Sequence, residues 1–306
     1  MMNFKWQGVM PALTTQFDAL EQLNLDAFEL NLVAQIEAGV HGIVLGGTLG
    51  EASTLTAAEK VLLLKKAQDV ISDRIPVIIN IAEQSTLDAI AAAKAAEANG
   101  ADGLMLLPPM RYKATDEETV QYFAAIAQST KLPIMIYNNP VDYKIEVTLD
   151  MFDELQQYKN IQAVKESTHD ISNVTRMINR FGSRYQILCG VDTLAMESLV
   201  MGADGWVAGL VDAFPRETVA IFAYNKAGKI DEALRIYRWF LPLLELDISP
   251  QLVQNIKQCE VATGIGTGYV RKPRLMLKGA ERIRVQKIID DSLATRPDLG
   301  NYKTYL

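Results

Sequence analysis

Eight short apolar runs alternate with eight stretches of helical spacing along most of this chain, and that alternation limits the folds open to it. The runs are Gly8–Phe17, Gly42–Gly47, Pro76–Ala82, Gly103–Pro108, Pro133–Asn139, Ile161–Ser167, Tyr185–Gly190 and Gly205–Leu210. Helical spacing follows them at Leu25–Ala38, Ala57–Ser72, Thr86–Asn99, Asp116–Gln128, Leu149–Gln157, Asp170–Arg180, Thr193–Met201 and Pro215–Lys226. A strand covered on both faces reads as a continuous apolar run, and parallel neighbours need a crossover helix. Eight such units predict an α/β structure, a closed TIM (β/α)8 barrel rather than an open sheet. Glycine just past the helical stretch, at Gly39, Gly100, Gly182, Gly202 and Gly228, marks helix ends. Beyond residue 229 the strands stop. Ile230–Leu246, Gln251–Thr263 and Gly279–Thr295 read as three more helices, so the expected division is a barrel over 1–229 and a small C-terminal helical appendage over 230–306.

Composition removes several classes of function. A chain of 306 residues can bury one barrel and an appendage. The net charge of -7, with no basic run, argues against a nucleic-acid partner. No apolar run is long enough to cross a bilayer, so no membrane role is expected. The start, Met1-Met2-Asn3-Phe4-Lys5-Trp6, lacks the apolar core of a signal peptide, and Cys189 and Cys259 stand alone. Both observations point to a reducing, cytoplasmic setting. With only His41 and His169 available, a histidine-rich metal site is not expected, and no metal or organic cofactor is predicted.

In such barrels chemistry gathers at the C-terminal ends of the strands. The sixth run, Ile161-Gln162-Ala163-Val164, ends in Lys165. A buried ammonium is costly, and desolvation favours the free amine, a nucleophile towards carbonyls. The plain alternative is a strand-end lysine whose stem packs inward while its head reaches solvent or Glu166. The fifth run ends in Tyr137-Asn138-Asn139-Pro140, so a phenol that can shuttle protons stands on the neighbouring strand. The second run ends in Gly46-Gly47-Thr48-Leu49-Gly50-Glu51, whose backbone N–H groups can approach an anion. Gly190 after the seventh run and Gly205 to Gly209 around the eighth leave room for a small ligand. A lysine, a tyrosine, a hydroxyl-bearing glycine turn and open space are the parts of a Schiff-base enzyme for a 2-oxo acid.

These residues, over the whole length, resemble the dihydrodipicolinate synthase and N-acetylneuraminate lyase family. The motifs that carry the resemblance are Gly47-Thr48-Leu49-Gly50-Glu51, Tyr137-Asn138-Asn139-Pro140 and Lys165-Glu166-Ser167, in order and at the family's spacing. The resemblance implies that Lys165 forms an imine with a 2-oxo carbon and that Tyr137, assisted by Thr48, relays protons. It implies that the substrate carboxylate sits on the Thr48 and Leu49 backbone beside Gly47, with Gly190 and Val207 lining the pocket. It also implies a homo-oligomer, commonly a tetramer built as a dimer of dimers, and Trp239-Phe240-Leu241-Pro242-Leu243 offers apolar surface for contacts.

The departures bear on the substrate. Synthases of this resemblance carry an arginine shortly after the tyrosine motif for a second carboxylate; here that stretch is Val141-Asp142-Tyr143. Leu49 replaces a second hydroxyl, and Arg111, followed by Tyr112, stands where a relay tyrosine is expected. The serine-containing turn and sugar-binding loop of neuraminate lyases are not found. Pro109-Met110-Arg111-Tyr112-Lys113, the tyrosine motif and Trp206-Val207-Ala208-Gly209-Leu210 together look most like the hydroxyproline-degrading branch. That branch implies a deaminase converting 1-pyrroline-4-hydroxy-2-carboxylate, a cyclic imine with one carboxylate, to 2,5-dioxopentanoate and ammonia, with Arg111 as a candidate substrate ligand. The alternatives are a 2-keto-3-deoxy sugar acid aldolase, a dihydrodipicolinate synthase-type lyase using pyruvate, and a silent barrel that only binds a 2-oxo acid.

Overall fold

The computed structural model describes residues 5–72, 74–109 and 112–306. Among them eight strands form one sheet: β1 (Gly8–Pro11), β2 (Ile43–Leu45), β3 (Val77–Ile81), β4 (Gly103–Leu106), β5 (Ile134–Asn138), β6 (Ile161–Glu166), β7 (Gln186–Cys189) and β8 (Gly205–Ala208). Their order is β1-β8-β7-β6-β5-β4-β3-β2, and a parallel bridge from Ala12 to Val44 joins the two ends of that order. The fold is the expected (β/α)8 barrel.

The helices are α1 (Leu25–Ala38), α2 (Ala57–Ile71), α3 (Thr86–Ala98), α4 (Asp116–Ser129), α5 (Pro140–Tyr143) and α6 (Leu149–Leu155). They continue with α7 (Ser172–Phe181), α8 (Ala195–Val200), α9 (Pro215–Lys226), α10 (Ile230–Leu244), α11 (Leu252–Thr263) and α12 (Gly279–Ala294). The five glycines that end helical stretches in the sequence all have positive φ, the conformation that a side chain resists. Two differences from the sequence reading have physical causes. The run from Gly8 is a strand only to Pro11, with backbone bonds from Ala12 and Leu13 extending the pairing, and beyond them the side chains of Thr14 and Gln16 turn to Glu260. The short α5 was not visible, since it is one turn started by Pro140 and capped by the Asn139 side chain.

By its contacts the chain forms two compact units, one of residues 76–207 with the N-terminal segment to Gln7, the other of 8–75 with 208–306. In the first, Phe123, Phe152 and Trp206 are fully buried; in the second, Phe17, Phe28, Phe214 and Phe240 are. Each such side chain contributes on the order of 1.5–3 kcal/mol when removed from water. The apolar stretch at Trp239–Leu243 is mostly interior: Phe240 and Leu243 are buried, Trp239 stacks on Phe240, and Leu241 remains exposed. Among the described residues no helix is long and apolar enough to cross a membrane.

Candidate functional site

In the first unit, strand register assembles the residues that the sequence singled out. Tyr137 on β5 pairs with Lys165 on β6, Lys165 with Leu188 on β7, and Leu188 with Gly205 on β8. Side chains alternate along a strand, so these four share a face and Asn139, Ser167, Gly190 and Val207 form the next row on that face. Asn138, Glu166, Cys189 and Trp206 point the other way. The Asn138 side chain bonds the backbone of Val147, Glu166 accepts from the Thr168 N–H and the Asn173 side chain, and the Trp206 indole donates to Asp192. Burial raises the Glu166 carboxyl above its ordinary range and pushes the Cys189 thiol up to about 12.

Lys165 and Tyr137 are both buried, and the Lys165 amine nitrogen lies 4.1 Å from the centroid of the Tyr137 ring. The ring is braced at its edge by Tyr143, 5.6 Å away and nearly perpendicular. Its hydroxyl accepts a 3.1 Å hydrogen bond from the Asn139 amide. Gly190 must be glycine here: a Cβ would stand 2.1 Å from Ser167 Oγ and 2.7 Å from both Cε and Cγ of Lys165. Ser167 is almost fully buried, and its hydroxyl has no hydrogen-bond partner among the described residues. A polar atom in that state beside a nucleophile is one that a ligand can satisfy. The sequence motif contained Ser167 without assigning it a task; its position two residues beyond Lys165 was the available signal.

The second unit holds the glycine turn. Gly46 has φ +69 and Glu51 φ +53, and the Glu51 N–H bonds the Thr48 carbonyl while Thr15 Oγ1 holds the Gly50 carbonyl at 2.7 Å. Gly47 and Leu49 are buried and Thr48 is exposed. Glu51 is fully buried, yet its carboxylate is well served: Lys257 Nζ at 2.7 Å, the Arg271 N–H at 3.0 Å and Arg274 at 3.8 Å. Lys257, also fully buried, donates in addition to the Tyr269 carbonyl and lies 4.8 Å from the Phe17 ring. Next to it Glu260 accepts from Thr14 and Gln16. Burial works against charge on both members of this group, raising Glu260 and lowering Lys257. In the sequence Glu51 stands within the glycine-turn motif, whereas the polar-apolar mixture over three helical turns of α11 singles out neither Lys257 nor Glu260.

Arg111 lies outside the described residues, and Tyr112 is exposed. Among the described residues, no group of three or more His, Cys, Asp or Glu side chains is arranged to hold a metal ion.

The chain is 31% identical over 268 residues to the 4-hydroxy-tetrahydrodipicolinate synthase of Exiguobacterium sibiricum, covering 88% of this chain and 92% of the relative. It is 30% identical over 284 residues to that of Moorella thermoacetica, covering 93% and 96%. Among solved structures, the 4-hydroxy-tetrahydrodipicolinate synthase of Methylacidiphilum fumariolicum SolV superposes with a TM-score of 0.88 at 29% identity, over 95% of this chain and 98% of that one. The chloride-inhibited dihydrodipicolinate synthase of Acinetobacter baumannii complexed with pyruvate gives 0.90 at 27%, over 94% and 99%. The model of the Dihydrodipicolinate synthetase family matches residues 5–292, and the chain belongs to that family.

Proposed function

We propose that the protein is a Schiff-base lyase in which Lys165 attacks a 2-oxo carbon or cyclic imine, and that its substrate is 1-pyrroline-4-hydroxy-2-carboxylate. The observation that carries the covalent part is the buried Lys165 amine 4.1 Å from the Tyr137 ring, with the Lys165 stem packed against Gly190. The finer choice of substrate is supported by Asp142 standing where the synthases carry an arginine, since a carboxylate there suits a substrate with a single carboxylate. The unsatisfied Ser167 hydroxyl beside Lys165 suits a substrate that brings a hydroxyl of its own.

The chemistry balances without an added reagent other than water. Lys165 adds to C2, and the ring C2–N bond breaks to leave an imine at C2 and a primary amine on C5. The protonated imine withdraws electrons, so a C3 proton leaves to Tyr137 and the resulting enamine expels the C4 hydroxyl as water. A proton shift from C5 to C3 gives a C5 enamine, which tautomerises to an imine. Hydrolysis there releases ammonia, and hydrolysis at Lys165 frees 2,5-dioxopentanoate. The net reaction consumes one water. In this reading Thr48 assists the proton relay, and Gly47, Thr48 and Leu49 supply the carboxylate site. A homotetramer assembled as a dimer of dimers is part of the same proposal.

A pyruvate-using lyase is the second reading, favoured by the names of the synthase relatives and by the pyruvate bound to one of them, and a keto-deoxy sugar acid aldolase would use the same lysine. One screen separates the two: hydroxypyrroline carboxylate should release ammonia, whereas pyruvate and an aldehyde as products would favour the aldolase. Borohydride added during turnover should fix the ligand on a peptide containing Lys165, and Lys165→Ala should remain folded and lose essentially all turnover. Binding without trapping would instead mark a silent barrel.

A further inference from the structure

The amide of Asn139 is the feature of the tyrosine motif that the reaction above does not use. Its nitrogen donates one hydrogen to the Tyr137 hydroxyl at 3.1 Å and the other to Asp142 Oδ2 at 2.8 Å, while its oxygen accepts the Asp142 N–H at 3.1 Å. Asn139 and Tyr137 are both buried. A carboxylate only accepts, so Asp142 requires the nitrogen side of the amide at this spot, and the backbone N–H requires the oxygen side opposite. With the amide fixed that way, the phenol oxygen must accept from Asn139. Its own proton is then turned away from Asn139.

We propose that Asn139, oriented by Asp142, is a positioning residue that sets the direction in which Tyr137 moves its proton. A donor on the phenol oxygen binds the phenolate more strongly than the phenol, because a hydrogen bond to a charged acceptor is the stronger one. Asn139 thereby favours the proton-accepting form at the moment a substrate proton is taken, and Asp142 prevents the amide from turning over and presenting an acceptor instead. The Lys165 amine and the Tyr143 ring also lie against Tyr137 in this unit. The inference rests on Tyr137 being the proton relay of the proposed function.

The structural role of Asn139 can be separated from this one, because its side chain also caps α5 through Asp142 N–H. Asn139→Ser keeps a good capping residue and removes the donor from the phenol. Expected is a fall in kcat of about tenfold or more, with KM changed less than about threefold, unchanged melting and intact borohydride trapping at Lys165. The basic shift of the pH–kcat limb belonging to Tyr137 should accompany it. The exchange Asn139→Asp with Asp142→Asn keeps an amide–carboxylate pair and the cap but makes the phenol donate; it should be at least as slow. In a Tyr137→Phe background, Asn139→Ser should cost little more, as expected of two residues acting as one unit. Full activity in the folded Asn139→Ser variant, or an equal cost in the Tyr137→Phe background, overturns the inference and leaves the relay role intact. If Tyr137→Phe itself is harmless, the relay reading falls and this inference with it.

Discussion

Gly190 shows how tightly the site is specified at the level of one residue. A single methyl at that position would meet Ser167 Oγ at 2.1 Å and the Lys165 chain at 2.7 Å, distances that force something to move. Overpacking of this kind costs about 1–3 kcal/mol, which a chain of this size can absorb. Misplacing a reacting amine by an ångström is more serious, on the order of 10²-fold in rate. Gly190→Ala should therefore melt within a few degrees of wild type and lose about a hundredfold in kcat, measured by ammonia release under saturating substrate. Adding Ser167→Ala removes the closest clash but not the two with Lys165, so it should not restore the rate. The sequence made Lys165 and Tyr137 legible because a charged or phenolic residue ending an apolar run stands out against its neighbours. It marked Gly190 as open space and, by resemblance, as pocket lining, and it held Ser167 within the lysine motif without a task, since a serine after a strand is an ordinary cap until its hydroxyl is seen to lack a partner.

At the level of elements, α2 carries a link that local sequence half reveals. Thr56 and Glu59 form a capping box at its start, each side chain bonding the other's backbone N–H, and the Thr-x-x-Glu spacing is visible in the sequence. Glu59 also receives two hydrogen bonds from Arg271, at 3.1 and 2.8 Å, from a residue 212 positions away, which no local pattern announces. The Arg271 hydrogen bonds hold the Glu59 carboxyl down at about 2, from an ordinary 4.5. A folded-state value below the unfolded one means that the stabilisation is complete above about pH 4.5 and is lost as pH falls through about 2. Moved that far, a fully shielded carboxyl would represent ~3 kcal/mol; partial exposure reduces this to about 1–2 kcal/mol. Glu59→Gln should be less stable than wild type by that amount at pH 7 in urea melts, and the gap should close between pH 4 and pH 2. A gap that stays constant with pH would assign the effect to the lost cap rather than to the ion pair.

Across the whole molecule, the alternation of apolar runs and helices was enough to read eight strands and their order of chemistry, since each βαβ unit repeats one physical constraint. What joins distant segments within a unit was not readable, and the fully buried pair of Lys257 and Glu51, 206 positions apart, is the clearest case. It ties α11 to the glycine turn. A buried pair is no net source of stability by itself, because removing two ions from water offsets most of their attraction, but breaking one side leaves a buried charge uncompensated at about 3–5 kcal/mol. Lys257→Met keeps the volume and strands the Glu51 carboxylate on the Arg271 N–H and a more distant Arg274, so it should cost about that much in denaturation monitored by circular dichroism. Adding Glu51→Gln removes the stranded charge while its side-chain oxygen still accepts from the Arg271 N–H, so the double variant should recover at least half of the loss. Equal instability of the single and double variants would mean that the lysine acts through its stem, its bond to the Tyr269 carbonyl and its packing on Phe17, and that the ion pair with Glu51 is incidental to folding.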